Sequence, residues 1–211
     1  MAVWYILLGV NLMLLVLLGI LYAQRLQRYR ELQEGIAQKV LRFHVLANSD
    51  SDEDQELKLA VRDAVGAQMA ELLAEAESLE ACEELVEEHL EEIEQTTEAV
   101  LAEEGCDYTV HASLGETDFP VKTYGSYTFP AGTYEALNVV IGEGAGHNWW
   151  CVMYPNMCFA GSVYEVVDEE AGEALRETLT EEEYRTVFSS GNYEVRFKYL
   201  SFLLDYCEKN R

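Results

Sequence analysis

Two short groups of histidine, asparagine, aspartate and tryptophan side chains are the parts of this sequence best suited to chemistry or recognition. They give these candidate partner-binding residues: His44, Asn48, Asp50, His147, Asn148, Trp149 and Trp150. In a strand, neighbouring side chains face opposite sides, so both tryptophan rings cannot easily enter the same core, and one is expected to anchor the fold while the other is available to a partner. Tryptophan is enriched among the residues that dominate binding energies. We therefore predict a partner-binding surface, with burial of both rings in the core as the alternative.

Histidine close to cysteine also suggests a catalytic thiol. His147 and Cys151 could form such a pair, but a catalytic pair is defined by its geometry in space and not by closeness in sequence. No catalytic residue is assigned, and the chain is not expected to be an enzyme. The alternative is an extracytoplasmic enzyme acting on the cell wall, which would need His44, Asp50 or His147 to converge on one pocket.

Metal and phosphate motifs are incomplete. Asp50, Asp52 and Asp54 alternate as in a calcium-binding loop, but Gln55 stands where that loop requires glycine. The glycine-rich segment 142–146 lacks the following Lys-Ser/Thr of a phosphate loop, so it is expected to be flexible or closely packed. The four histidines and five cysteines show no paired close spacing. We expect no metal and no cofactor.

The cysteines predict one disulfide. Cys151 and Cys158 lie close in sequence, and a domain outside the cytoplasm meets an oxidising environment. The other three are expected to be buried free thiols: Cys82, Cys106 and Cys207.

The N-terminus carries an apolar run from Ala2 to Ala23, long enough to cross a bilayer as a helix. Residues 1–24 are therefore predicted to be a membrane anchor or a signal segment, and 25–39 a linker. We favour an uncleaved anchor, because Leu21-Tyr22-Ala23 is a poor cleavage site. Arg25, Arg28 and Arg30 would stay in the cytoplasm by the positive-inside rule, which conflicts with export of the domain and leaves the orientation open.

Charge excludes one class of partner. The chain has 14 Lys and Arg against 39 Asp and Glu, and a net charge of −25. A domain this acidic repels phosphate backbones, so no nucleic-acid binding is expected.

Patterning in the first half of residues 40–211 predicts a strand and two helices. Residues 40–47 alternate as a half-buried strand. Asp52, with Gln55, is expected to cap a first helix, and Ser78 a second one. The apolar stripe of this second helix runs through Cys82, Val86, Leu90, Ile93 and Val100. Glutamates on the opposite face make this an acidic, amphipathic helix pair.

The second half predicts mostly strands. Strands are expected near residues 108–114, 121–129 and 133–141, the last two joined by a hairpin turn at 130–132. An irregular stretch, 142–159, should follow, then helices near 168–176 and 181–188, a strand near 193–197 and a closing helix at 199–207. The predicted fold class is α+β, with an antiparallel or mixed sheet covered by the acidic helix pair and preceded by one transmembrane or signal-anchor helix.

Several of these segments carry a family resemblance. Residues 41–51 (LRFHVLANSDS), 129–134 (FPAGTY) and 142–159 with their Asn-Trp-Trp-Cys resemble, in the same order, the stage II sporulation protein R family. The resemblance covers roughly residues 38–160. The tail beyond Gly161 and the glutamate-rich helices match only in general character.

The resemblance implies a role in endospore formation. Members of this family are exported from the forespore into the space between the two septal membranes. There they activate a membrane-embedded aspartic protease, which processes the sigma-E precursor in the mother cell. The resemblance thus implies that this protease is the partner, that residues 40–211 form an exported signalling domain, and that the N-terminal helix contacts the membrane. A passive structural protein of the septum is a further alternative.

Overall fold

The computed structural model describes residues 2–74, 76–155, 157 and 169–189. In this part of the chain the elements follow one another as α1 (Ala2–Ala37), β1 (Leu41–Leu46), α2 (Asp52–Leu72), α3 (Leu79–Glu88), α4 (Leu90–Glu103), β2 (Val110–Phe119), β3 (Lys122–Tyr124), β4 (Tyr127–Phe129), β5 (Gly132–Ile141), β6 (Asn148–Tyr154), α5 (Glu169–Thr178) and α6 (Glu181–Ser189). The predicted strand near 193–197, the helix at 199–207 and Cys207 lie outside the described residues.

Helix α1 is longer than the apolar run alone. It is continuous over 36 residues, so residues 25–37 of the predicted linker are helical. Its apolar part is long enough to cross a membrane, and none of the most apolar stretch is buried against the other described residues. Its last turns pack onto the domain, where Ile36 is fully buried. The contacts of these turns explain why the helix persists through Gly35, which alone would weaken it.

The main sheet is mixed and has the strand order β2-β5-β1-β6. Strand β1 is parallel to β5 and antiparallel to β6, while β2 is antiparallel to β5. A separate two-stranded sheet consists of β3 and β4. The α+β class with a mixed sheet is therefore confirmed.

Two predictions about the strands were wrong. No hairpin joins β4 to β5 at residues 130–132, because β5 pairs with β2 and β1. The hairpin turn lies instead between β3 and β4, where Gly125 has a φ of 55° that favours glycine. Part of the stretch predicted as irregular, residues 148–154, is strand β6, whose pairing with β1 was invisible in the local pattern.

Helices α2, α3 and α4 cover one face of the main sheet. Their buried residues meet Leu41, Phe43 and Val45 of β1 in the larger core. Ser51, and not Asp52, caps α2 by accepting a hydrogen bond from the Asp54 backbone N–H. Ser78 caps α3 as predicted. The predicted single helix after Ser78 is interrupted at His89, and α4 begins at the next residue.

The opposite face is covered by the end of α1, the β3–β4 hairpin and helices α5 and α6. The second core lies here and includes Ile36, Phe119, Phe129, Tyr134 and Val187. Strand β1 is consequently buried on both faces, so the prediction of a half-buried strand was wrong. Helices α5 and α6 confirm the two helices expected near 168–176 and 181–188.

Candidate functional site

The predicted site residues meet at one end of the main sheet. Strands β1 and β5 are parallel, so the loops that follow them, 47–51 and 142–147, leave from the same end, and β6 begins there. The loops are joined by hydrogen bonds from the Ala145 N–H to the Asn48 carbonyl (3.0 Å) and from the Gly146 N–H to the Ala47 carbonyl (2.9 Å). We call residues 47–51 and 142–148 the site end.

A hydrogen-bond network around Asp54 holds the first loop against the start of α2. The Asp54 carboxylate accepts from Asn48 Nδ2 (2.8 Å) and from Ser49 Oγ (2.5 Å). These bonds, led by the one from Ser49, lower the pKa of Asp54. Asn48 Oδ1 also accepts the Glu143 N–H (3.0 Å). Asn48 therefore connects the two loops.

Close approach of the two loops requires glycine. A Cβ on Gly146 would overlap the backbone carbonyl of Ser49, and one on Gly142 would overlap the Asn48 side chain. Gly142 also has a φ of 57°. The glycine-rich segment is thus closely packed, which was one of the two expectations for it.

Asp50 and His147 form the exposed part of the site end. Their side chains are 55% and 77% exposed and are hydrogen-bonded to each other through Nδ1 of the histidine. The Asp50 carboxylate also accepts the His147 backbone N–H (2.6 Å). Lys58 is buried, and its Nζ donates a hydrogen bond to the His147 carbonyl (3.1 Å). Asp50 and His147 therefore offer a partner both a hydrogen-bond acceptor and a donor, and the backbone that carries them is held in place by hydrogen bonds.

His44 lies below this surface, on the β1 face that belongs to the second core. Its Nδ1 is 3.1 Å from Asn138 Oδ1 and its Nε2 is 2.6 Å from Asn148 Oδ1. The ring stacks on Trp150 with centroids 3.9 Å apart. Burial lowers the pKa of His44 because it disfavours the charged imidazolium.

The two tryptophans point to opposite faces, as the strand periodicity predicted. Trp149 packs edge-on against Phe43 in the larger core, with the Arg62 guanidinium over its ring. Trp150 contacts His44 and Phe119 on the other face. Both rings are half-buried.

Arg42 is a site residue that the sequence interpretation missed. It is fully buried, and its guanidinium carbon lies 4.2–5.9 Å from four ring centroids, those of Phe119, Tyr124, Phe129 and Tyr134. Nε donates to the Cys151 carbonyl (2.8 Å) and Nη2 to the Tyr124 hydroxyl (3.0 Å), while Nη1 has no hydrogen-bond partner among the described residues. Alternation alone placed Arg42 on the polar face of β1, and it is buried by aromatic residues of β2, β5 and the β3–β4 hairpin.

The cysteines divide between described and undescribed parts of the chain. Cys151 is disulfide-bonded, and Cys158 lies outside the described residues, so pairing of these two stays a prediction. Cys82 is buried and Cys106 half-buried, and both are free.

The arrangement is suited to binding. Within the described ranges no cluster of His, Cys, Asp and Glu could hold a metal ion. In the same part of the chain, neither His44 nor His147 has a hydroxyl or thiol as a hydrogen-bond partner. The protein is an α+β domain with a mixed four-stranded sheet that follows a long apolar helix, and several of the candidate binding residues lie together at one end of the sheet.

Comparison with known proteins identifies the family. The family model "Stage II sporulation protein R" matches residues 37–164, more than half of the chain. Stage II sporulation protein R of Bacillus subtilis (strain 168) is 33% identical over 171 residues, which cover 79% of this chain and 76% of that protein. No solved structure matches. The chain belongs to the stage II sporulation protein R family, and a role in sporulation follows.

Proposed function

We propose that this chain is an exported sporulation signal that activates a membrane-embedded aspartic protease of the septum. Activation leads to processing of the sigma-E precursor and couples the forespore to the mother cell. The protein itself carries out no chemistry in this proposal, because its role is to bind and activate the protease. The supporting observation is that two groups of candidate binding residues, about a hundred positions apart in sequence, are hydrogen-bonded to each other: His44 with Asn148, and Asp50 with His147.

The position of the anchor supports this role. Gln33 of α1 donates to the carbonyl of Thr133, at the first residues of β5, while Leu41 lies further along the same sheet. This contact lies at the start of β5, whereas the site end follows the last residues of that strand. In this proposal α1 is held in the membrane and the exposed residues of the site end remain accessible to the partner.

Complementation tests the proposal. A sporulating strain that lacks its own family member should regain processing of the sigma-E precursor when it carries this chain. Failure of an expressed and correctly located chain to restore processing would contradict the proposal.

Variants then locate the surface. Asp50→Ala and His147→Ala remove exposed groups at the site end, and we expect both to reduce processing while stability changes little. Glu181→Ala is the matched control, because Glu181 is 65% exposed and paired with Arg185 on α6, away from this end. Trp149 and Trp150 suit this test less, since both rings pack on core residues and truncation also costs stability. Equal processing by all three alanine variants would place the binding surface elsewhere.

A further inference from the structure

Uncompensated positive charge is concentrated on the sheet face that carries Trp150. Arg42 is fully buried, and Lys122 is half-buried with its Nζ 5.9 Å from the Trp150 ring centroid. The ion pairs in the described part of the chain include neither residue. The protein has a net charge of −25, so carboxylates are abundant, yet none from the described residues pairs with either cation.

The two charges also act on each other. Burial lowers the pKa of Lys122, and the charge of Arg42 lowers it further. Burying one cation without a carboxylate is costly, and placing a second cation within its field adds to that cost. The aromatic rings around Arg42 offset part of the cost through cation–π contacts. They leave its Nη1 without a hydrogen-bond acceptor.

We propose that the face formed by Arg42, His44, Lys122 and Trp150 binds a carboxylate group. Lys122 is the half-exposed cation that contacts the carboxylate. The Trp150 ring forms the apolar surface beside it, and the buried Arg42 adds positive electrostatic potential. Asn148, exposed and bonded to His44, supplies an amide at the rim. The identity of the partner rests on the proposed function: the carboxylate belongs to an acidic side chain of the protease.

The site is tested first without the partner. Acetate is titrated into the full chain in detergent micelles, with chloride at equal ionic strength as reference, and the Trp150 indole N–H signal is followed by NMR. We expect a saturating shift with acetate only. Lys122→Gln should weaken acetate binding roughly tenfold, the effect of losing one charge-assisted contact.

Arg176→Gln is the matched control. Its guanidinium carbon lies 5.9 Å from the Tyr184 ring centroid, the same arrangement of cation and ring in a different part of the fold, and its acetate response should be unchanged. Identical shifts with acetate and chloride, or unchanged affinity in Lys122→Gln with an intact melting transition, would overturn the site.

The partner is tested in the complemented strain. Lys122→Glu should abolish precursor processing, whereas Arg176→Glu should retain it. Normal processing by Lys122→Glu would overturn the assignment of the carboxylate to the protease. If the unchanged chain does not complement, the proposed function fails, and the acetate titration still decides whether the carboxylate site exists.

Discussion

At the scale of single residues, the sequence motif around Asn48 and Asp54 has a structural role as well as a place at the site. The Asp54 carboxylate accepts two side-chain hydrogen bonds and is nearly buried, whereas Asp52 at the start of α2 is exposed. The two aspartates are chemically identical and two positions apart. Because their environments differ, substituting each aspartate in turn tests which one holds loop 47–51 in place.

We expect Asp54→Ala to lower the free energy of unfolding by about 2–3 kcal/mol, because the half-buried donors on Asn48 and Ser49 lose their buried acceptor. Asp52→Ala should cost at most about 1 kcal/mol, the helix-dipole contribution of a first-turn carboxylate. Denaturant titration of both variants measures the difference. A larger loss for Asp52→Ala would show that the original assignment of this residue as the cap was right.

His44 should make stability depend on pH. Burial keeps its folded pKa below the ordinary value, so the unfolded chain takes up a proton near pH 6.5 while the folded chain resists it. The unfolded state therefore binds more protons, and the stability contributed by neutral His44 is lost as the pH falls through this region.

The measurement compares the chain with His44→Gln from about pH 8 to about pH 5, where the difference in unfolding free energy should shrink on acidification. The many carboxylates titrate in both proteins and cancel in the difference. A constant or growing difference would mean that the imidazolium is tolerated in the fold.

At the scale of elements, the site end depends on how closely two loops approach. Neither loop has regular structure, and they are held by backbone hydrogen bonds that need a glycine at position 146. The sequence shows that residues 142–146 are rich in glycine. The reason for a glycine at position 146 is its contact with loop 47–51, which lies almost a hundred positions earlier in the chain.

Gly146→Ala should destabilise the protein by about 1–3 kcal/mol, the usual cost of overpacking, since the new methyl group overlaps the Ser49 carbonyl. Gly115→Ala in β2 is the control, because a Cβ there meets no atom within 4 Å. Thermal melting and precursor processing should both fall for the first variant only. Equal behaviour of the two alanine variants would show that the loops can separate at little cost.

At the scale of the whole molecule, the long apolar helix α1 packs onto the domain that follows it. Helix α1 is roughly 54 Å long at 1.5 Å per residue, and only its last turns contact the domain. Arg28–Glu182 and Lys39–Glu183 ion pairs add to the packing of Ile36. The domain is therefore attached to the helix by its own fold as well as by the chain.

We expect residues from Glu31 onward to lie outside the cytoplasm, the location that the proposed function requires. A reporter that works only in the cytoplasm, fused after Arg211, should be inactive, and one that works only outside should be active. The opposite result would show that Arg25, Arg28 and Arg30 set the orientation by the positive-inside rule.

Local sequence patterns were enough to predict the apolar helix, strand β1, the Ser78 cap and helices α5 and α6. Each follows from a periodicity or a capping residue within a few positions. The family resemblance was also readable from the sequence, because it rests on residue types and order, whereas the seven candidate binding residues stay a prediction.

Tertiary structure alone decided the rest. The pairing of β5 with β1 and β2, the strand character of β6 and the burial of both faces of β1 depend on contacts between distant segments. Arg42 shows the reason most clearly. Alternation places its side chain on the opposite face of β1 from Leu41 and Phe43. Whether that face meets water or aromatic rings depends on residues about eighty positions later, among them Phe119 and Tyr124. A local pattern records which side a residue faces, and only the fold determines what lies on that side.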